Sequence, residues 1–558
     1  MKKLRAISCA LIVLVMLVSL FGCGGTPNPT ATSGGGNSAA PTGSSAPSST
    51  PAPTVSTAPT DEFVSYSIGV TSFLGRLYGG LSPTECHSAT DAIFDVIFRP
   101  DPITKEIFSY ILTDWYWEDD TTFIMEMRDD IYFNNGDNAT SADLLYSYTS
   151  YVDRGSTALN TYGILFDECE TRGDYTVAMK FEQFYAPFLN YTVYLTHKEW
   201  AESIGFESME WLDPVCSGPY EVFEYVNDDR IVLQHREDYW NKDVGDYYVD
   251  EWRIMFYPDA STMYMDLEVG KIDMCEVQAA DYSRFLRTGG DGFDVIKKGI
   301  GTVTSFYFGY LNRPDDPIWY NKNLREAVAI GVDWNAMGQV TYQDQYVRAQ
   351  GVTPIQSPGF IDAGWDTLEY NPERAKEILI EEGYGPDNPL KLHSYMMDGA
   401  AWKTLNETLQ FQLSQIGIIY DVEFVDTPTA MDHWNQFGTV DVGFHWYHRG
   451  SAAFELRQSL PYIKVLPTGQ KFTMIDDELT QELYNKLMYT RDEDERYEAG
   501  VELQQRFRDE YLIIPIAEMM MCAGFRTDRL TQQQVESVVI AANIYQLSRL
   551  GMLSSFQQ

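Results

Sequence analysis

The side chains in this chain that could do chemistry are mostly carboxylates. Asp119-Asp120 and Asp129-Asp130 are adjacent pairs of the kind that can share general acid and general base roles, but with 81 Asp and Glu in the chain such pairs arise by chance. A glycosidase needs two acids facing each other across a sugar, and nothing here singles out two of them. His445 and His448 stand three apart and would share one face of a helix as metal ligands. Two histidines without a carboxylate or cysteine at a defined spacing are poor evidence for a metal. Neither G-x-x-x-x-G-K-S/T nor H-E-x-x-H nor G-x-S-x-G occurs. The chain reads as one with no catalysis and no cofactor of its own, so any work driven by ATP would fall to a partner.

Cysteine gives no framework either. Of the seven, Cys9 lies in the apolar leader and Cys23 directly behind it, which leaves Cys86, Cys169, Cys216, Cys275 and Cys522. None forms a C-x-x-C or a zinc-ligand spacing. One or two bridges stay open in an exported protein, and buried free thiols are the default. Binding surfaces are a better prospect. The run Val440 to Gly450 brings Trp446, Tyr447 and Arg449 close together, and the chain carries 37 Tyr, 12 Trp and 29 Phe. Tyr and Trp suit ligand clefts because they give large, stiff, amphipathic contact at little entropy cost, although most must serve packing.

The chain has 558 residues, a net charge of −41, 44% apolar residues and a mean hydropathy of −0.27. That length predicts about three or four structural units. It is too polar to hide several membrane spans, and its acidity speaks against nucleic acid. Lys2, Lys3 and Arg5, then Ala10 to Phe21, then Gly22-Cys23, form a processing signal over 1–22. Leu20-Phe21-Gly22-Cys23 resembles a bacterial lipobox, with Phe21 replacing the usual small or aliphatic residue, which implies a lipidated Cys23 as mature N-terminus. Residues 23–60 are nearly all Gly, Ser, Thr, Ala and Pro, an expected disordered tether.

Beyond the tether the chain alternates short strands with capped helices. Phe123, Met125 and Met127 alternate with Thr122, Ile124 and Glu126 as in a half-buried strand. Asn135-Gly136 turns, and Thr140 with Asp143 starts a helix, so 112–150 reads strand, strand, turn, helix. Tyr220 to Tyr225, the turn Asn227-Asp228-Asp229 and Arg230 to Leu233 read as a hairpin. Asn371 caps a helix with Pro372 in its first turn and Gly383 behind it. Leu324, Ala327 and Val328 lie at helical spacing, and Asp333 is placed to cap the next helix.

These segments resemble, in order, the patterns of one family. Leu112 to Trp115 with Phe123, Arg128, Phe133, Gly136, Thr140 and Asp143 is similar to its strand, "LR-G-xx-F-x-x-G" and "T-A-x-D-V" run, with Met127 for the Leu and Asp130 for the Gly. Ser217-Gly218-Pro219-Tyr220, Arg230 and Asp238-Tyr239-Trp240 resemble "GTGPY…R…DYW". Leu324 to Val328 and Asp333 resemble "VRQAL…AIDR", with Trp334 for the basic residue, and Tyr370 to Lys376 resembles "YDPEKAK". The family is the extracellular solute-binding proteins of the peptide/nickel ABC-importer class, family 5.

The resemblance implies an α/β, two-lobed periplasmic-binding-protein-like fold with two crossing strands as hinge, near Thr304 to Asn312 and Leu512 to Met520. Lobe I would take 61–94, 196–311 and 520–558, with 95–195 as its inserted subdomain, and lobe II would take 312–519. The implied role is a monomeric, lipid-anchored binding protein on the outer face of the bacterial cytoplasmic membrane. It would close on a peptide or other small solute and present it to permease subunits served by separate ATPases. In the family a segment like 440–450 sets a tryptophan and, three residues on, an acid that receives a peptide's ammonium. Arg449 stands there, and a guanidinium prefers carboxylate or phosphate. Glu518, behind the second crossing, is the acid that could take the amine instead. Trp446, Tyr447, Arg449, Tyr307, Glu518 and Phe73 are the expected ligand-side residues. An oligosaccharide-binding member of the same architecture stays open, as do a cell-surface hydrolase and a signalling receptor.

Overall fold

The computed structural model describes residues 63–71, 87–100, 107–153, 163–206, 208–242, 247–288, 292–308, 321–343, 345–355, 359–426, 429–430, 433, 441–447 and 478–540. The leader, the tether, Cys23, Phe73, Cys86, His448 and Arg449 lie outside them. In chain order the strands are β1 (Ser65–Val70), β2 (Arg99–Pro100), β3 (Ile107–Phe108), β4 (Leu112–Trp117), β5 (Thr122–Met127), β6 (Glu170–Thr171) and β7 (Thr176–Lys180). There follow β8 (Tyr220–Val226), β9 (Arg230–His235), β10 (Glu251–Phe256), β11 (Met274–Glu276) and β12 (Phe293–Phe308). The last are β13 (Tyr346–Arg348), β14 (Lys391–Met397), β15 (Ile419–Val425), β16 (Val442–Tyr447) and β17 (Ile513–Arg526).

The local signals in the sequence produce these elements where they were expected. Asn371 Oδ1 accepts the Arg374 N–H at 3.0 Å at the head of helix Pro372–Glu381, and Asp333 Oδ1 accepts the Ala336 N–H at 2.9 Å at the head of Trp334–Tyr342. Asp143 accepts the Thr140 N–H at 2.8 Å, the returning half of a capping box, at the start of Ser141–Asp153. β8 and β9 form the hairpin, with Asp228 at a positive φ in its turn. β5 departs from its reading. Ile124 is buried as well as Phe123, Met125 and Met127, so both faces of the strand are covered.

The motif around Gly218 is structural. A Cβ on Gly218 would stand 2.6 Å from the Ile93 backbone, and its own N–H donates to Ile93 O at 2.8 Å. The Tyr239 hydroxyl and Trp240 Nε1 donate to the Asp95 carboxylate at 2.9 and 2.8 Å, while buried Arg236 donates to the carbonyls of Cys216 and Gly218. Burial pushes the Asp95 pKa up to about 6 against these donors.

One sheet runs through the molecule in the order β16-β12-β17-β11-β1-β10-β9-β8, with β13 also on β17. β1, β10 and β11 are parallel, and β12 and β17 pair antiparallel along nearly their whole lengths. One end of this ribbon joins β11, and the other joins β16 and β13. The ladder breaks between Gly299 and Val303, opposite Glu518 to Met520. That is just ahead of the buried run that begins at Val303, and the break falls on the glycine-containing stretch of the strand.

Two cores flank the far end of the ribbon. Phe306, Phe444, Ile514, Ile516 and Ala517 pack with the helices Lys322–Gly331, Trp334–Tyr342, Pro372–Glu381 and Ala400–Gln415. Val303, Tyr307 and Ile513 belong to a larger core that takes in the β4-β5-β7-β6 sheet, β1 and β8–β10. Helices Glu478–Tyr489 and Glu493–Asp509 put Leu483, Leu487, Leu503 and Phe507 into this larger core.

Candidate functional site

Because cross-strand partners share a face, the register of four strands fixes a row of residues. Tyr447 of β16 pairs with Val303 of β12, Val303 with Glu518 of β17, and Glu518 with Val347 of β13. On the opposite face stand Trp446, Thr304, Ala517 and Arg348. That second face belongs to the helix-covered core. Thr304 Oγ1 and the Tyr342 hydroxyl are 2.9 Å apart, and Arg348 donates to the carbonyls of Ile516 and Trp365 at 3.0 Å each. Burial lowers the Arg348 pKa to about 10.

The sequence candidates therefore separate. Tyr447 and Glu518 come together on one face with only Val303 between them, and the register sets Trp446 on the other. Tyr307 is buried, with its hydroxyl 2.6 Å from where a Cβ on Gly443 would stand. His445 is in a strand, so the helical pairing with His448 does not arise. No group of three or more metal-ligating side chains occurs among the described residues. Cys169, Cys216, Cys275 and Cys522 are free thiols, and burial raises all four pKa values.

Glu518 is 9% exposed and has no ion-pair partner among the described residues. One oxygen accepts the Ile355 N–H at 3.2 Å. Desolvation holds its carboxyl above the usual carboxylate range, partly offset by that bond. A second acid, which the sequence reading missed, closes β11. Glu276 is exposed at the end of that strand. It sits at the carboxyl end of the parallel strands β1, β10 and β11, the edge where open α/β sheets receive ligands. The signal for it was slight, one acid ending the short apolar run Met274-Cys275-Glu276. Among the described residues, Glu518 offers negative charge without a countercharge, which suits a cationic group.

A sheet carried from one core to another by two long antiparallel strands defines a two-lobed binding protein. The family model for bacterial extracellular solute-binding proteins, family 5 Middle, matches residues 106–453, and the chain belongs to that family. Its members bind solutes and are not enzymes. The chain is 23% identical over 368 residues to the dipeptide-binding protein DppE of Bacillus subtilis, a match covering 61% of this chain and 63% of that protein. To the oligopeptide-binding protein AppA of the same organism it is 24% identical over 338 residues, covering 56% and 60%. The chain thus matches less than two thirds of the length of these curated relatives. The fold is similar to the crystal structure of the ABC transporter substrate binding protein CtaP of Listeria monocytogenes, with a TM-score of 0.67 and 18% identity, covering 84% of this chain and 95% of that one.

Proposed function

We propose that this protein is the substrate-binding component of an ABC importer for peptides. It works as a monomer that closes its lobes on the solute and passes it to a permease, while separate ATPase subunits supply the energy. Lobe I takes 61–94, 196–311 and 520–558 with 95–195 inserted, and lobe II takes 312–519. Lipid on Cys23 and the tether 23–60 hold the exported body to the outer face of the membrane.

The observation that carries the peptide reading is Glu518. A carboxylate held out of water without a cation costs folding free energy, and a peptide's ammonium would supply the missing charge. Position 447 falls in the same register row as Glu518. The names of the relatives, dipeptide-binding and oligopeptide-binding, point the same way. A neutral sugar can donate hydroxyl hydrogen bonds to this acid but brings no charge to balance it.

Mass spectrometry of small molecules released by denaturing the purified mature protein tests the reading. A defined set of peptides is expected. A co-purified oligosaccharide, or an empty protein that no peptide protects in a thermal-shift screen, would overturn it.

A further inference from the structure

Glu518 has two exposed aliphatic residues as neighbours, one across the strands and one through its backbone N–H. Val347, its cross-strand partner, is 54% exposed, and Ile355, whose N–H it accepts, is 55% exposed. Single exposed aliphatic residues are ordinary on protein surfaces. This pair is distinguished by what it adjoins, a carboxylate nine-tenths buried and without an ion-pair partner among the described residues. Val347 also belongs to the face of the sheet that turns away from the helix-covered core, and its neighbours Tyr346 and Arg348 turn into that core. Nothing in its own strand therefore covers Val347.

The two features act on one another. An ion pair is worth more the less water reaches it. An ammonium held by Glu518 is still wetted through Val347 and Ile355 unless an apolar group lies on them. A ligand that places an apolar side chain beside its amine buries this aliphatic surface and dries the ion pair in the same step. A ligand with a polar or acidic side chain there leaves the pair wet or sets a second anion beside Glu518.

We infer that Val347 and Ile355 form a side-chain subsite beside Glu518 that selects peptides with a free amino terminus and an apolar first residue such as leucine, isoleucine, methionine or phenylalanine. This rests on the peptide reading above and adds the identity of the first side chain to it. Val347 and Ile355 are the specificity-determining residues, and Glu518 holds the amine.

The test is calorimetric titration of the mature protein with di- and tetrapeptides that differ only in the first residue, Leu, Gly or Asp, together with the N-acetylated Leu peptides. The Leu series is expected to bind about tenfold tighter than the Gly series, the Asp series weakest, and acetylation should abolish binding. In Val347→Ser/Ile355→Ser, which keeps the Ile355-position N–H, the preference for Leu over Gly should shrink to about twofold. Equal affinity for the Leu and Gly series in the native protein overturns the subsite and leaves peptide binding standing. A Leu preference that survives the double substitution overturns the assignment to these two residues. Absence of binding by every peptide overturns the subsite and the peptide reading together.

Discussion

Glu518 and Val347 are partners across β17 and β13, so a carboxylate nine-tenths buried stands beside an aliphatic side chain that is half in water. The strand register, fixed on Glu518's other side by Val303 and Tyr447, puts both on the sheet face away from the helix-covered core.

The uncompensated acid should make stability and binding respond oppositely to one substitution. With its folded pKa raised, Glu518 favours folding only while protonated, and that contribution is lost as pH rises through the raised value. At neutral pH Glu518→Gln should therefore resist urea better than the native protein. Affinity for a tetrapeptide beginning with leucine should fall at least about tenfold in the same variant. Native affinity should also weaken as pH drops towards the raised pKa, while the variant's affinity should stay flat. A variant both less stable and unchanged in affinity would contradict this.

Asp95 carries the clearest pH signature. Its folded pKa of about 6 lies above the unfolded value of 3.8, so its contribution is complete below the lower figure and lost as pH rises through the upper one. The loss is about 3 kcal/mol by pH 8. Asp95→Asn forfeits the hydrogen bonds from Tyr239 and Trp240 but removes this dependence. The difference in urea stability between native protein and variant should thus move in the variant's favour between pH 5 and pH 8.

Gly218 should tolerate no side chain. The atoms a Cβ would meet are the Ile93 carbonyl carbon and oxygen at 2.6 and 2.7 Å, which are backbone and cannot turn aside. Gly218→Ala should cost about 3 kcal/mol or more in chemical denaturation. Gly385→Ala, with nothing within 4 Å of the new Cβ, should stay within about 0.5 kcal/mol of native.

Arg491 joins the turn between helices Glu478–Tyr489 and Glu493–Asp509 to the β4-β5 turn. Its guanidinium lies 5.7 and 5.5 Å from the ring centroids of Trp117 and Phe184 and 3.3 Å from Asp120. Asp120 is almost wholly in water, so the ion pair should be worth little and the ring contacts more. Asp120→Asn should change stability by less than about 0.5 kcal/mol and Arg491→Ala by about 1 kcal/mol. The Arg491 effect should persist in high salt, which screens the carboxylate more than the rings.

Residues near in sequence determined much of this protein. Asn371, Pro372 and Gly383 bound one helix, Asp333 caps another, and the turn at Asp228 makes a hairpin, because each acts through hydrogen bonds and dihedral angles within a few residues of itself. The order of such segments also sufficed to indicate the family. What lay beyond the sequence was decided by pairings across hundreds of residues. Trp446 and Tyr447 are adjacent, yet a period of two sends them to opposite faces, and only the register with Thr304 and Val303 tells which face meets the helices. Glu276 reaches the carboxyl edge of the parallel strands only when β11 is seated between β1 and β17. Glu518 is desolvated by strands contributed from residues near 303 and 347. Local chemistry could name the acid, but its burial and its cross-strand aliphatic neighbour are properties of the assembled sheet.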